Sequence, residues 1–228
     1  MPLTINTQEY EITRRRFLKM AMITMGAVVI AGSGVSCASQ PSSHSEVTTI
    51  DTPEFIFEKE NHMKSRLLVT YATAAGSTVG VAEAIGKTIA TSGYAVDVKP
   101  IKNNPSLKGY QAVILGSAVH GKRWLPEATE FVENHQEELK KLQVAAFCVH
   151  IMNLGTDEKS KKNRLTYLDP IRSLLPIVDE GYFAGRGVDP DTSTRFERFM
   201  AGLMQIPPGD KRDWEKIGAW ADNVKIIE

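Results

Sequence analysis

From residue 66 onward, short apolar runs alternate with segments of helical period, and few folds accommodate that pattern. Leu67-Leu68-Val69-Thr70-Tyr71 is a first apolar run, and it ends in a loop of small residues. Residues 79–90 then place Val81, Ala82, Ile85 and Ile89 on one side of a helix. Residues 94–98 alternate as a strand does. Ala112-Val113-Ile114-Leu115 is continuously apolar, as a strand covered on both faces must be. Residues 127–142 read as helix, 144–149 as a buried strand, 160–175 as helix and 182–184 as a fifth strand. Helices over about 194–205 and 211–224 complete the pattern. Strand–helix alternation means βαβ units and a parallel sheet. The expected fold is α/β, a doubly wound five-stranded parallel sheet of order 2-1-3-4-5. Ligands of such sheets sit beyond the carboxyl ends of the strands, near the switch between strands 1 and 3. The loops after Tyr71, Leu115 and Val149 are therefore the ones that matter.

The first 65 residues are of another kind. Arg14, Arg15, Arg16 and Lys19 precede a stretch over 20–35 that is apolar and rich in Gly, Ala and Thr; Ser36-Cys37-Ala38 follows. Basic, apolar and small in that order is the layout of a secretory signal. The Arg-Arg pair before Phe17-Leu18-Lys19 resembles a twin-arginine signal, which implies export of a folded chain. An N-terminal anchor helix is the other reading of residues 20–35, though the stretch is short for a span. Cys37 also has two readings: a lipidated residue after a lipoprotein-type box, or a bystander to cleavage after Ala38. The expected division is a signal over 1–38, a polar flexible linker over 39–65, and one domain over 66–228. Within the linker, Phe55-Ile56-Phe57 is apolar enough to dock on the domain.

Charge narrows the partners. Beyond residue 38 the chain carries 23 basic and 25 acidic side chains, a net −2, which argues against nucleic acid. The two cysteines, Cys37 and Cys148, make no disulfide framework, and Cys148 reads as a core thiol.

Residues 70–78 read Thr-Tyr-Ala-Thr-Ala-Ala-Gly-Ser-Thr and open directly into a helix. Backbone N–H groups at a helix start, with the helix dipole behind them, suit an anion such as phosphate. Hydroxyls of Thr73, Ser77 and Thr78 can add donors, and Gly76 permits close approach. A tight turn capped by Ser77 or Thr78 is the plainer alternative. The loop lacks the Gly-Lys-Thr of a triphosphate-hydrolysing P-loop and the Gly-x-Gly-x-x-Gly of a dinucleotide fold. It also lacks the acidic pair that a receiver domain carries after strand 1.

Three features in order resemble the flavodoxin-domain family: this loop, Gly-Ser-Ala-Val-His-Gly-Lys-Arg-Trp over 116–124, and Gly-Asp-Lys-Arg-Asp-Trp over 209–214. Within it, the chain is most similar to the flavodoxin-type, quinone-dependent protoporphyrinogen oxidases, over residues 64–223. The resemblance implies FMN as cofactor, its phosphate held by Ala72, Thr73, Ala74, Gly76, Ser77 and Thr78. It implies a ring flanked by Ser117, Ala118, Val119 and His120, with His150, Met152 and Asn153 on the other side. Trp124 is either an aromatic cover for the ring or an anchor for the helix that begins at Leu125-Pro126. Phe196, Phe199, Met200, Leu203 and Met204 recur at helical spacing; they are either a core-facing stripe or a surface for a porphyrin, a quinone or a membrane.

Expected partners are a redox partner (a quinone or an electron-transfer protein), a porphyrin substrate, and a membrane met through the leader or a lipidated Cys37. The expected function is FMN-dependent oxidoreduction. A non-enzymatic tethered electron carrier and a cofactor-free interaction module are the alternatives. The sequence offers no metal-ligand set and no assignable catalytic residue.

Overall fold

The computed structural model describes residues 51–58, 65–191 and 193–226. The signal and Cys37 lie outside the described residues.

The parallel sheet forms as the apolar runs require. β2 (Arg66–Ala72), β3 (Ala95–Pro100), β4 (Ala112–His120), β6 (Gln143–His150) and β7 (Asp179–Ala184) are its parallel strands. Across the sheet they run β3-β2-β4-β6-β7, the expected 2-1-3-4-5 order. Two strands are additional. β1 (Phe55–Phe57) pairs antiparallel with β3 at the edge, and β5 (Arg123–Trp124) folds back on the end of β4. The linker expected over 39–65 is thus interrupted by a strand. Its three residues bring Phe55 and Phe57 onto the core, which offsets the ordering of that segment.

α1 (Ser77–Thr91) and α5 (Trp214–Asp222) cover one face, where Val81, Ile85, Ile89 and Ile217 meet Val69, Val98, Ile114 and Phe147. α2 (Pro126–Asn134) covers the other with the turns over 166–172; there Phe131, Val132, Tyr167 and Ile171 meet Leu68, Val113, Leu115 and Ala146. Alternate residues of each strand go to opposite cores, so continuous apolar runs are what a sheet covered on both sides demands.

Two expected helices are broken. The helix expected over 127–142 breaks at His135, which is non-helical, into α2 and a single turn at Gln136–Leu139. The helix expected over 160–175 is α3 (Glu158–Leu165), then a tight turn at Thr166–Leu168 and a last turn at Asp169–Arg172. α3 buries no residue and takes Asp157 as N-cap, its carboxylate accepting from Ser160 N. Of the two readings of the stripe on α4 (Arg195–Leu203), the structure shows the outward one: Phe196, Phe199 and Leu203 are all exposed. Among the described residues no helix is long and apolar enough to cross a membrane.

Candidate functional site

At the carboxyl ends of β2, β4 and β6 the chain encloses a cavity of about 310 Å³. This is where a doubly wound sheet places a ligand, and the size suits a small-molecule site.

The first loop gives Ala74, Ala75 and Ser77 to the wall. Its shape is set by Thr73, whose Oγ1 accepts from Gly76 N at 2.9 Å, and by Gly76 itself at φ +82°. That left-handed residue turns the chain from strand into helix without a Cβ in the way. No side chain caps α1, and its first turn holds no acid. Among the described residues the N–H groups of Ser77 and Thr78 find no protein acceptor. The Oγ1 of Thr78 is buried and also without a hydrogen-bond partner. Buried donors without acceptors cost on the order of 1–3 kcal/mol each, so this helix start is built for something that accepts.

The second loop contributes Ala118, Val119, His120 and Gly121 to the cavity. Ser117 does not reach it: its Oγ accepts from Leu125 N at 3.1 Å and donates to Ala118 O, tying the start of α2 to β4. Nor does Trp124 cover a ring. It is buried in the second core, and its Nε1 donates to Cys148 Sγ at 3.1 Å. The anchoring reading of Trp124 is the one that holds, because Leu125-Pro126 starts α2 immediately and draws the indole under it. Burial pushes the Cys148 thiol up to about 12, so it is an inert core group.

From the third loop come Val149, His150, Ile151 and Met152. His150 Nδ1–H donates to Met152 O at 2.7 Å. Burial lowers its pKa to about 4, so the ring is neutral at pH 7. Asn153 turns away: its Nδ2 donates to Tyr167 Oη at 2.6 Å and its Oδ1 accepts from Asn163 at 3.2 Å. It sits at φ +58°, a conformation Asn tolerates, and so closes the loop rather than lining it.

Ala74, Ser77, Ala118, Val119, His120, His150 and Met152 thus meet in the cavity, while Ala72, Thr73, Gly76 and Thr78 shape its first loop from behind.

Sequence reasoning misses a fourth wall. Residues 185–189, with Ser193, Met204 and Ile206, close the cavity from the β7 side. This wall is a small ladder: Gly187 N donates to Gly209 O, Gly209 N to Val188 O, and Lys211 N to Gly185 O. A Cβ on Gly187 would lie 1.8 Å from Pro207 O, so glycine is obligatory there. Asp210 secures the ladder, taking Arg186 Nε at 3.1 Å and Arg212 Nη2 at 2.6 Å. Burial works against its charge, but hydrogen bonds from Arg212 outweigh that and hold the carboxyl well below the usual range. Arg212 in turn lies over the Trp214 ring, 4.4 Å from its centroid. The Gly-Asp-Lys-Arg-Asp-Trp run is therefore a brace for the fourth wall.

The chain is similar to an archaeal flavodoxin at 15% identity and TM-score 0.44, covering 70% of this chain and 95% of that one. It is similar to oxidised Flavodoxin 2 from Bacillus cereus at 20% identity and TM-score 0.43, over 69% and 95%. A Fusobacterium nucleatum flavodoxin bound to flavin mononucleotide matches at 13% identity and TM-score 0.43, over 71% and 98%. No curated protein matches the chain. The family described as "Flavodoxin domain" matches residues 68–213, well over half of the sequence. With that match spanning every strand from β2 to β7 and the four walls of the cleft, this chain belongs to the flavodoxin domain family.

Proposed function

We propose that the chain is an FMN-binding electron-transfer protein. One observation carries the reading: the uncapped start of α1, with unpaired N–H groups on Ser77 and Thr78, opens onto a cavity with apolar walls. A phosphate satisfies the first feature and a flat flavin ring the second. The residues present fit FMN. Ser77, Thr78 and the backbone of residues 74–78 would hold its phosphate. Val119, His120 and Met152 would flank the ring. Bound FMN supplies the redox chemistry, accepting electrons from one partner and passing them to another. The chain's own part is to orient it and limit access. His150 contributes a fixed donor at Nδ1 and no charge at neutral pH, keeping the third loop in place.

Protoporphyrinogen oxidation with a quinone acceptor is the more specific form of this proposal. It is favoured by the apolar fourth wall of Val188, Met204 and Ile206, which offers surface to a second, lipophilic molecule. The leader favours work outside the cytoplasm after twin-arginine export, with Cys37 or residues 20–35 as the membrane attachment.

The test is an absorption spectrum of the purified chain after FMN is added and the excess removed. Retained flavin bands at one FMN per chain support the proposal; a colourless protein that leaves all FMN in the filtrate ends it. Anaerobic assay with protoporphyrinogen and a quinone then separates the oxidase from an electron carrier without small-molecule turnover.

A further inference from the structure

We infer that α4 lays its apolar face on a lipid surface. Phe196 is 57% exposed, Phe199 68% and Leu203 71%, and they follow one another at i, i+3 and i+7 on one side of the helix. Met204, 39% exposed, continues the row to the mouth of the cavity. The helix is held to the domain through a small residue: Ala201, 3% exposed, packs on Val188 with Ile206 beside it. Arg198 adds a hydrogen bond to Pro190 O. This inverts the usual arrangement, in which large apolar residues face the core and small or polar ones face water. A contiguous apolar row in the open marks a contact surface.

Three observations select lipid as the occupant. First, the patch is three side chains on a nine-residue helix. A stable pair of copies needs roughly 800 Å² on each partner, far more than this face offers. Insertion into the headgroup region needs only an apolar row of this kind. Second, exposed Arg195 lies beside the row, and an arginine stem can lie along apolar groups while its head meets a lipid phosphate. Third, the chain enters the domain at the same end. β1 runs antiparallel to β3 with Phe55 opposite Val98, so residues 51–54 run along the carboxyl end of β3 and past it. Tyr71 Oη fixes that entry by donating to Pro53 O at 2.7 Å. α4 lies at this end too, since Met204 and Ile206 line the cavity there. The apolar residues 20–35 precede the entry point in sequence. A lipid plane laid across this end of the sheet, about 24 Å from β1 to β7, receives the incoming chain and α4 together. The inference is independent of what the cavity binds.

The experiment uses the full chain carrying Phe199→Trp, its fluorescence read against the parent to remove the three native tryptophans. Vesicles of phosphatidylcholine and phosphatidylglycerol should shift the added indole to the blue, and brominated lipid should quench it. Adding F196S and L203S should weaken that response about ten-fold or more. L203W in place of F199W gives the same readout should the first variant fold poorly. Water-like emission from the added indole, whether or not the chain sediments with the vesicles through its leader, overturns the inference. So does a blue shift that appears without vesicles and grows with protein concentration, which would assign the face to a second copy.

Discussion

Two walls of the cleft are made by different means. The wall formed by the first three loops is the end of the sheet itself. Its residues follow directly from strands whose side chains are fully buried, such as Leu68, Ile114, Leu115 and Phe147. The wall of residues 185–189 and 204–206 is a separate assembly, held by a short glycine-tight ladder and by Asp210 between two arginines. The first cannot move without the core, and its geometry comes with the fold. The second carries its own fastenings, and large apolar groups hang from it in the open. The two proposals divide along the same line: the phosphate site is proposed for the rigid wall, and the lipid contact for the fastened one.

The same small change, one added Cβ, should break the two walls differently. At Gly116 in β4 it would lie 2.0 Å from the Phe147 ring, which is itself enclosed by Phe183 and Trp220. G116A should lower global stability by about 3 kcal/mol in urea unfolding. At Gly187 the clash is with a loop carbonyl. G187A should instead release the ladder locally, speeding tryptic cleavage at Arg195 and Arg198 about ten-fold while the urea midpoint moves much less. Equal midpoint shifts would show that both walls belong to one cooperative unit.

His150 puts a pH dependence on the rigid wall alone. Burial lowers its folded pKa to about 4, against about 6.5 unfolded, so the neutral form is the one folding favours. Its contribution is complete above pH 6.5 and is lost as pH falls toward 4, amounting to about 3 kcal/mol. H150N, whose amide can still donate to Met152 O, should flatten stability across that window. An unchanged slope would assign the titration elsewhere.

Ser77→Asp should separate anion binding from folding. A carboxylate in the first turn of α1 gains about 0.5 kcal/mol from the helix dipole. The same charge repels a phosphate, and FMN affinity should fall about 100-fold in equilibrium dialysis. Loss of both stability and affinity would mean that the helix start is structural only. The smallest effect is expected at Asp210. Its depressed folded pKa means that its stabilisation is present above the ordinary carboxylate range and is lost as pH falls through the folded value. With the side chain 34% exposed, D210N should cost no more than about 1 kcal/mol at pH 7 by thermal unfolding. The difference from the parent should vanish in acid.

The sheet was readable because a strand covered on both faces must be apolar throughout, as Val113 to Leu115 and Val144 to Phe147 are. The first loop was readable because strand, small residues and helix follow one another without a gap. The α4 stripe was legible as a stripe but not in its direction, since spacing says that one face is apolar and not where it points. Only the placement of Ala201 inward decides that. Ser117, Trp124 and Asn153 sit in the right loops, yet their side chains serve Leu125, Cys148 and Tyr167, contacts 8, 24 and 14 residues away that local pattern cannot reveal. The fourth wall has no periodicity at all. Its one signal was the spacing of Gly185, Gly187 and Gly209 around Pro207-Pro208, which marks two backbones in close approach.

The hydrogen bond from Trp124 to Cys148 gives the molecule a clock. Cys148 lies in β6, between β4 and β7, with its sulfur sealed under the indole. A movement of α4 alone leaves it covered. Alkylation of that sulfur requires the core between α2 and the sheet to open. Its rate therefore counts openings of that core, against which the looser motions of the cleft's outer wall can be timed.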